Sequence, residues 1–445
     1  MYFRLAKILL ILPVLGIVLV TPSTLFPFIV GKYVIFRASV DLALVFVLVG
    51  LIRSGETETS QYEKRFLSVV KHPLSIAFGV FTLVFVLAGF FGIDPAMSFW
   101  SSFERGEGGF QMIHLFLYFL LLLTLFKEEA DWKKLFTWVL VGAVLMSVYG
   151  FLASLDVSGF LGSRFSAPDY RFQGSIGNPA YVAAYLIFAL FFSLYLLFSK
   201  KDNSKFKISS PNSLSLLGLM ALFLVVFLLA ATRGAFIGLM AAIFSALLFL
   251  AYSVKKWRKW LIIVGVILLT FVSIMVYFKD TPFVKSIPGS RVFDISIFTK
   301  TFQDRMIIWK TAWNGFKDRP WLGFGPESFT YIFSRYFNTD YFKPAEGFGS
   351  WFDRAHSIYL DYLTEAGILG LVSYLSIFAV FYWQLFKSKV ALGLPVIIRA
   401  LMFAIPIAYL VQGIVLFDVL AIQLYLFLFF AFSVYKFTSS PKINV

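Results

Sequence analysis

The sequence has no cysteine, only three histidines and few charged residues. Without cysteine there can be no disulfide, no thiolate metal site and no cysteine nucleophile. Charged residues make up 14% of the chain, whereas soluble proteins carry about 25%. Hydrophobic residues reach 60%, and the mean hydropathy is +0.84. This composition excludes an ordinary soluble globular protein and indicates an integral membrane protein.

Several catalytic motifs are also missing. The chain contains no glycine-rich Gly-Lys-Ser/Thr phosphate loop, no His-Glu-x-x-His and no Gly-x-Ser-x-Gly. Nucleotide hydrolases, zinc proteases and serine hydrolases are therefore not indicated. The acids of the predicted external segments form no close pair at metal-ligand spacing, although Asp94, Asp169 and Glu327 could converge in space. We accordingly predict no metal and no cofactor.

Long apolar runs fill most of the chain. A membrane-spanning helix needs about 20 apolar residues, and the sequence holds twelve candidates. They are 8–30, 34–52, 74–93, 110–126, 134–155, 180–198, 213–231, 234–252, 259–278, 358–386, 395–415 and 419–435. We predict an all-α polytopic membrane protein that forms a single domain over residues 1–445, without an internal repeat.

The first apolar run imitates a signal peptide, because Arg4 and Lys7 precede it. It continues through Val30, however, and offers no small-x-small cleavage site. The sequence therefore predicts a retained helix, bent at one of its prolines (Pro13, Pro22 or Pro27).

The net charge of +15 follows the predicted topology. Of the 39 lysines and arginines, 21 fall in connections and termini that would share one side of the membrane, and six fall in short connections on the other side. Positive charge is enriched on the cytoplasmic side. We therefore expect both termini in the cytoplasm and residues 279–356, the long loop between spans 9 and 10, outside. The charge needs no nucleic-acid partner.

Two arginines on the external side stand out. Arg233 lies in a tight turn between two apolar runs, where it would sit near the outer surface, with no acid next to it in the sequence. It could snorkel at the interface or bind an anion. Arg305 borders an apolar stripe on a predicted amphipathic helix of the long loop, where it could be interfacial, pair with Asp304 or bind an anion. The stripe comprises Phe302, Met306, Trp309, Trp313 and Phe316.

His356 is the histidine that the predicted topology leaves available to external chemistry. His72 would be cytoplasmic and His114 falls inside a span. With an ordinary pKa near 6.5, a histidine can accept a proton at neutral pH. Secondary candidates are Arg171 for a phosphate contact and Tyr359, one turn beyond His356, for orienting a sugar. Arg291 and Arg335 are weaker candidates, because loop arginines are usually solvated.

Four ordered segments resemble the O-antigen ligase and O-antigen polymerase family of bacterial envelope proteins. They are Arg171-Phe-Gln-Gly-Ser-Ile-Gly-Asn-Pro179, Thr232-Arg-Gly-Ala235, the Arg305–Gly325 segment, and Ala355-His-Ser-Ile-Tyr-Leu360 with Glu365-Ala-Gly-Ile-Leu-Gly370. Ala180 departs from the family pattern, in which asparagine is common at this position. The similarity extends from about Arg171 to Gly370, so spans 1–5 carry no diagnostic pattern.

The resemblance implies a membrane glycosyltransferase fold of the GT-C-like type and an inverting, metal-independent transfer at the outer face of the bacterial inner membrane. The implied donor is an undecaprenyl-diphosphate-linked glycan. Arginine forks suit the charge that develops on a departing diphosphate. Arg233 and Arg305 would stabilise that charge, and His356 would take the proton from the acceptor hydroxyl.

The acceptor is left open by the sequence. A ligase would transfer the glycan to lipid A–core, whereas a polymerase would use a second lipid-linked repeat. A protein acceptor is less favoured, because the chain shows no obvious additional soluble domain. A lipid-linked glycan transporter would suit twelve spans, but the absence of a repeat and the one-sided loop count against it.

Overall fold

The computed structural model describes residues 1–154, 171–199, 211–296, 299–339 and 351–438, and within these ranges the chain is helical, without strands. Nineteen α-helices follow one another in the described ranges. They are α1 Tyr2–Gly16, α2 Val30–Arg53, α3 Glu56–Val70, α4 Pro73–Phe90, α5 Pro95–Trp100, α6 Gly109–Leu125, α7 Glu129–Ser154, α8 Pro179–Phe198, α9 Pro211–Leu229, α10 Arg233–Ser253, α11 Arg258–Tyr277, α12 Pro282–Lys285, α13 Lys300–Asp318, α14 Phe329–Arg335, α15 Ile358–Glu365, α16 Gly367–Lys387, α17 Lys389–Leu392, α18 Val396–Gln412 and α19 Leu420–Thr438. Short 3-10 helices occur at Gly174–Ile176 and Ser290–Phe293.

Nine of the described helices are long and apolar enough to cross a membrane: α2, α4, α7, α8, α9, α10, α11, α16 and α19. Each coincides with one of the twelve spans predicted from the sequence. The predicted spans 110–126 and 395–415 correspond to shorter apolar helices, α6 and α18. The prediction of an all-helical polytopic membrane protein is confirmed.

The prediction of one bent helix over residues 8–30 is wrong. Pro13 lies inside α1 without ending it, and the helix stops at Gly16. The Thr21 amide then donates to the carbonyl of Pro27 at 2.9 Å, which closes a turn that carries two further prolines. The Nζ atom of Lys32, on α2, donates to the carbonyls of Leu19, Phe28 and Ser175 at 2.6–2.8 Å and ties this turn to the 3-10 helix at Gly174–Ile176. A turn that contains prolines and is held by the buried Lys32 thus stands where a continuous helix was expected.

The core lies around α8 and α19. Among the membrane-length helices these two are the most enclosed, with 83% and 94% of their apolar windows buried in protein. Their aromatic rings interlock with neighbouring helices, as in the stacked pair Phe136–Phe192 and the edge-to-face pair Phe191–Phe429. By contrast, none of the residues of α11 is buried. The sequence pattern could not distinguish a helix enclosed by protein from one with little protein around it, because both are apolar on all sides.

The polar connections collect at two separate ends of the bundle, as the charge map predicts. At one end Lys7 binds Asp131 and Lys436 binds Glu129. At the other end Arg105 binds Asp353 and Arg233 binds Asp294. The connections predicted to be cytoplasmic thus contact one another, and so do those predicted to be external.

The predicted span 358–386 is interrupted. It forms α15 and α16, which meet at Ala366–Gly367, and Gly367 has a left-handed φ of +66°. The Pro320–Gly325 segment docks on this break through four main-chain hydrogen bonds, including Phe324 N–H to the Thr364 carbonyl at 2.9 Å. A Cβ atom on Gly323 would lie 2.4 Å from that carbonyl, so only glycine fits. Two of the segments that carry the family resemblance therefore interlock and fix the long loop to the bundle.

The amphipathic helix predicted around Arg305 is α13, but its packing face differs from the aromatic stripe. Ile308 and Ala312 are buried against α14, whereas Met306 and Trp313 are about half exposed. These two exposed members of the stripe suit a helix that lies at a membrane surface. Arg305 stands between these two faces.

Candidate active site

Four arginines line one small cavity of about 100 Å³ at the end of the bundle where the long loop lies. They are Arg171, Arg233, Arg291 and Arg305, contributed by four different segments of the chain. Thr232, Thr301 and Gln412 complete the polar lining. We call this cavity the arginine pocket. It brings together the three arginines singled out from the sequence and adds Arg291, which sequence reasoning ranked low as a loop residue.

Arg171 is positioned by the turn that precedes α10. Its Nε atom donates to the carbonyl of Ala230 at 3.1 Å, and Nη2 donates to the hydroxyl of Thr232 at 2.7 Å. The neighbouring Phe172 amide donates to the Leu229 carbonyl at 3.0 Å. These bonds hold the segment before α8 against the end of α9.

Arg233 opens α10, and its guanidinium has an acidic partner. Its Nη1 atom donates to the main-chain carbonyl of Asp294 at 2.9 Å and to the Asp294 carboxylate at 3.3 Å. Asp294 also binds Lys279 at 2.6 Å. The expectation that Arg233 has no acid beside it is therefore wrong. The sequence could not indicate this contact, because Asp294 lies 61 residues away along the chain. The hydrogen bond from Lys279, together with the charges of Lys279 and Arg233, lowers the pKa of Asp294.

Arg305 has a buried hydrogen-bond donor without a partner among the described residues. Its Nε atom is buried and has no hydrogen-bond partner among the described residues. Asp304, which could have paired with it, forms no described ion pair with Arg305. Burial lowers the pKa of Arg305, and the charges of Arg233 and Arg291 lower it further. A buried donor without a partner is costly, so Arg305 is suited to an anionic ligand.

The charges in the arginine pocket repel one another. Burial, followed by the charges of Arg291, Arg233 and Arg305, lowers the pKa of Arg171 to about 10. Asp294 is the one carboxylate that contacts these guanidinium groups among the described residues. An anion with several oxygens would relieve the repulsion and accept bidentate hydrogen bonds.

His356 lies in a neighbouring cavity of about 350 Å³, which we call the histidine cavity. The imidazole is held between the rings of Phe352 and Phe417, with centroids 5.2 and 5.1 Å away. Its Nδ1 atom lies 3.1 Å from the carbonyl oxygen of Arg354. Because a carbonyl can only accept, Nδ1 carries the proton in the neutral ring and Nε2 is left to accept one. Burial lowers the pKa of His356, the bond to Arg354 opposes this, and the charge of Arg305 adds to the lowering.

The backbone of His356 is strained, with φ at +56°. A residue with a side chain pays about 1–3 kcal/mol for such a conformation. The flanking main chain is held by two bonds: the Ala355 amide donates to the Asp361 carboxylate at 2.7 Å, and the Ile358 amide donates to the Gly413 carbonyl at 2.9 Å. The surrounding fold thus determines where the imidazole lies.

The arginine pocket and the histidine cavity are lined in part by residues that are adjacent in the sequence. Ala180 lines the first cavity, whereas Asn178 and Tyr181 line the second. Leu416 lines the arginine pocket, and Phe417 lines the histidine cavity. The charge of Arg305 also reaches His356. The candidate catalytic residues from the sequence are therefore neighbours at one end of the bundle.

Arg354 is the residue that sequence reasoning missed. It is 5% exposed, and its guanidinium binds the carboxylates of Glu327, Glu365 and Glu107 at 2.5, 3.0 and 3.2 Å. Burial raises the pKa of Glu107 to about 8. The position of Arg354 two residues before His356 was the available signal.

The remaining candidates lie elsewhere. The Tyr359 hydroxyl donates to the Leu410 carbonyl at 2.7 Å, and Tyr359 lines neither cavity. Arg335 is half exposed and pairs with Asp318 at 3.2 Å. Of the acids that could have met at a metal, Asp94 caps α5, Glu327 binds Arg354, and Asp169 lies outside the described residues. Within the described ranges, no three His, Cys, Asp or Glu residues form a metal-binding group.

The comparisons with known proteins point to a family over part of the chain. A family model described as O-antigen ligase matches residues 218–375. A search of curated proteins gave no match. The matched region contains Arg233, Arg291, Arg305, Arg354 and His356. The resemblance seen in the sequence is thereby confirmed over residues 218–375, which are similar to the O-antigen ligase family.

Proposed function

We propose that this protein is an inverting, metal-independent glycosyltransferase that moves a glycan from an undecaprenyl-diphosphate donor to an acceptor hydroxyl. The transfer takes place at the outer face of the bacterial inner membrane, and both chain termini lie in the cytoplasm. The observation that supports this most is that residues adjacent in the sequence, such as Leu416 and Phe417, line the arginine pocket and the histidine cavity. In this proposal the first cavity binds the anionic leaving group and the second holds the proton acceptor.

The chemistry follows from this placement. The acceptor oxygen attacks the anomeric carbon, and the bond from that carbon to the diphosphate oxygen breaks with its electron pair leaving on the diphosphate. His356 accepts the acceptor proton at Nε2. Arg233, Arg305 and Arg171 stabilise the negative charge of the leaving group through directed hydrogen bonds. A single displacement of this kind inverts the anomeric centre.

Arg291 belongs to the donor site in this proposal. It lines the arginine pocket, and its charge acts on Arg171, Arg233 and Arg305. We expect Arg291→Gln to raise KM for the donor by about tenfold, which corresponds to one lost charge-assisted contact. Arg335→Gln, an exposed arginine of the same loop, is the matched control.

An apolar groove supports an acceptor that carries a lipid. This groove of about 1060 Å³ runs between α1 and α2, and it shares Pro27 and Phe28 with the histidine cavity but no residue with the arginine pocket. A chain bound there would present its head group on the side of His356. Lipid A–core and a lipid-linked repeat both meet this requirement. A ligase is our first choice because the matching family model is described as O-antigen ligase, and a polymerase that uses a lipid-linked repeat is the alternative.

The test is a reconstitution in liposomes with a defined donor lipid and candidate acceptors offered separately. We expect transfer to lipid A–core, and a loss of about 10²–10⁴-fold in His356→Ala, Arg233→Ala and Arg305→Ala. A product ladder formed from lipid-linked repeats alone would identify a polymerase. Movement of labelled lipid without a new glycosidic bond would identify a transporter, and full activity of His356→Ala would remove the general base from the mechanism.

A further inference from the structure

A group of basic side chains lies where α10 ends and α11 begins, at the opposite end of the bundle from the arginine pocket. Helix α10 runs from Arg233 to Ser253, and its 21 residues span about 30 Å. This length matches the hydrocarbon thickness of a bilayer. The group, which we call the basic connection, comprises Lys255, Lys256, Arg258 and Lys259, and all four side chains are exposed.

The ends of α16 and α18 add positive charge beside the basic connection. Phe249, near the end of α10, contacts Phe386 of α16 and Phe403 of α18, with ring centroids 6.3 and 5.3 Å away. The guanidinium carbon of Arg399, on α18, lies 5.5 Å from the centroid of the Phe249 ring. Lys387 follows Phe386 and is exposed. Three helices therefore bring basic residues to the same place.

No acid in the adjoining sequence balances these charges. The chain has no aspartate or glutamate between Asp202 and Asp280, and none between Glu365 and Asp418. In the part of the chain that the structure describes, no ion pair includes a residue of the basic connection. The four charges are therefore available to an anion from outside the protein.

Other basic residues at this end of the bundle have acidic partners. Lys7 binds Asp131 at 2.7 Å, and Lys436 binds Glu129 at 2.6 Å. The general enrichment of positive charge on one side of a membrane accounts for the side on which lysines and arginines lie. It does not require four basic residues within five positions, far in sequence from any acid. This density indicates a binding surface.

The helix that follows the basic connection has little protein to hold it. None of the residues of α11 is buried, and the helix packs on α10 and on the 3-10 helix at Ser290–Phe293. Trp257 and Trp260, interleaved with the basic residues, are 41% and 68% exposed. Tryptophan is enriched at the level of the lipid head groups. These features indicate that membrane lipid covers this surface.

We propose that the basic connection binds the head group of an anionic phospholipid, whose acyl chains lie along α11. Lysine and arginine donate charge-assisted hydrogen bonds to phosphate oxygens. Basic residues next to a membrane helix attract anionic lipids. The apolar surface of α11 binds the acyl chains, which a free phosphate ion lacks. The bound lipid holds the first turn of a helix that the protein itself leaves largely uncovered.

The test measures which lipids the purified full chain retains, by native mass spectrometry after titration in detergent with phosphatidylglycerol or phosphatidylcholine. Each basic residue near a membrane surface contributes about fivefold in affinity for an anionic lipid. We therefore expect half-saturation with phosphatidylglycerol at a concentration at least about tenfold lower than with phosphatidylcholine. Added salt should reduce this preference. Because no activity is measured, the result is independent of whether the glycosyl transfer is confirmed.

A fourfold variant and a matched control locate the site. The variant K255Q/K256Q/R258Q/K259Q should lose the preference for phosphatidylglycerol. The control R53Q/K64Q/K71Q/K134Q removes four exposed charges from the same end of the bundle, from segments that also contain acids, and should keep the preference. If the fourfold variant does not fold, K255Q/K256Q, which changes two positions between the helices, should still reduce the preference by about fivefold or more.

Three results would each overturn the proposal. The first is equal retention of the two lipids by the unchanged chain. The second is a preference that survives in the variants of the basic connection or is lost equally in the control, since it would then reflect net charge alone. The third is displacement of phosphatidylglycerol by an equal concentration of inorganic phosphate, which would show that the acyl chains contribute nothing.

Discussion

The Nδ1 atom of His356 lies 3.1 Å from the carbonyl oxygen of Arg354, whose own guanidinium is bound by three buried carboxylates. One residue thus combines two tasks. Its side chain anchors the turn in the bundle, and its main chain selects the tautomer of the neighbouring imidazole. A hydrogen bond from one ring nitrogen to a main-chain carbonyl commonly fixes which nitrogen of a histidine carries the proton.

The pH dependence of transfer should reflect the buried imidazole. Burial lowers the pKa of His356 below its usual 6.5. A general base must be unprotonated, so activity is present above this lowered pKa and is lost as the pH falls through it. We expect the acidic limb of kcat/KM to have its midpoint below pH 6.5. A midpoint at or above that value would contradict the assignment.

Removing the charge of Arg354 should be severely destabilising. Arg354→Met would leave Glu107, Glu327 and Glu365 buried without their partner. Breaking a buried ion network from one side costs about 3–5 kcal/mol, and we expect a correspondingly lower melting temperature in nanodiscs. Arg335→Met is the control, because that arginine is half exposed and its ion pair with Asp318 contributes about 1 kcal/mol or less. Equal effects of the two changes would refute the anchoring role.

Asp294 should weaken anion binding in the arginine pocket. Asp294→Asn removes one negative charge beside Arg233 but keeps the main-chain carbonyl that also holds it. We expect inorganic pyrophosphate to inhibit transfer at about fivefold lower concentration, since one charge near a protein surface contributes about 1 kcal/mol. Asp280→Asn, an exposed acid of the same loop, should leave the inhibition constant unchanged. Weaker inhibition of the Asp294 variant would argue against a diphosphate in this pocket.

The docked segment around Gly323 should not tolerate a side chain. Gly323→Ala would place Cβ 2.4 Å from the Thr364 carbonyl at a φ of +66°. Strain at such a position costs about 1–3 kcal/mol, and the clash adds to it. Gly218→Ala, a helical position with no atom near the added Cβ, should be neutral or slightly stabilising. Gly323→Ala should therefore lower the melting temperature, whereas Gly218→Ala should leave it unchanged or raise it slightly.

Much of the architecture could be predicted from local patterns. Apolar runs of sufficient length predicted the membrane helices, because a lipid-facing helix needs only its own hydrogen bonds. The distribution of lysine and arginine predicted which connections share a side, and the ion pairs described above join connections of the same group. The first predicted helix failed because the Thr21–Pro27 turn depends on Lys32, which reaches across to Ser175.

The sequence predicted those members of the candidate site whose side chains suit an anion or can accept a proton. Arg171, Arg233 and Arg305 share a pocket, and His356 lies beside it, but their catalytic roles stay predictions. The partners could not be predicted. Asp294 reaches Arg233 over 61 positions and Glu107 reaches Arg354 over 247, and no local spacing encodes such ion pairs.

Helix α11 has protein on so little of its surface that none of its residues is buried. A helix with so little protein around it can change its tilt when its apolar length does not match the thickness of the bilayer. The chain leaves α11 at Phe278 and places Lys279 on Asp294, the partner of Arg233. A change in bilayer thickness that tilts α11 would therefore be transmitted through Lys279 and Asp294 to the guanidinium of Arg233.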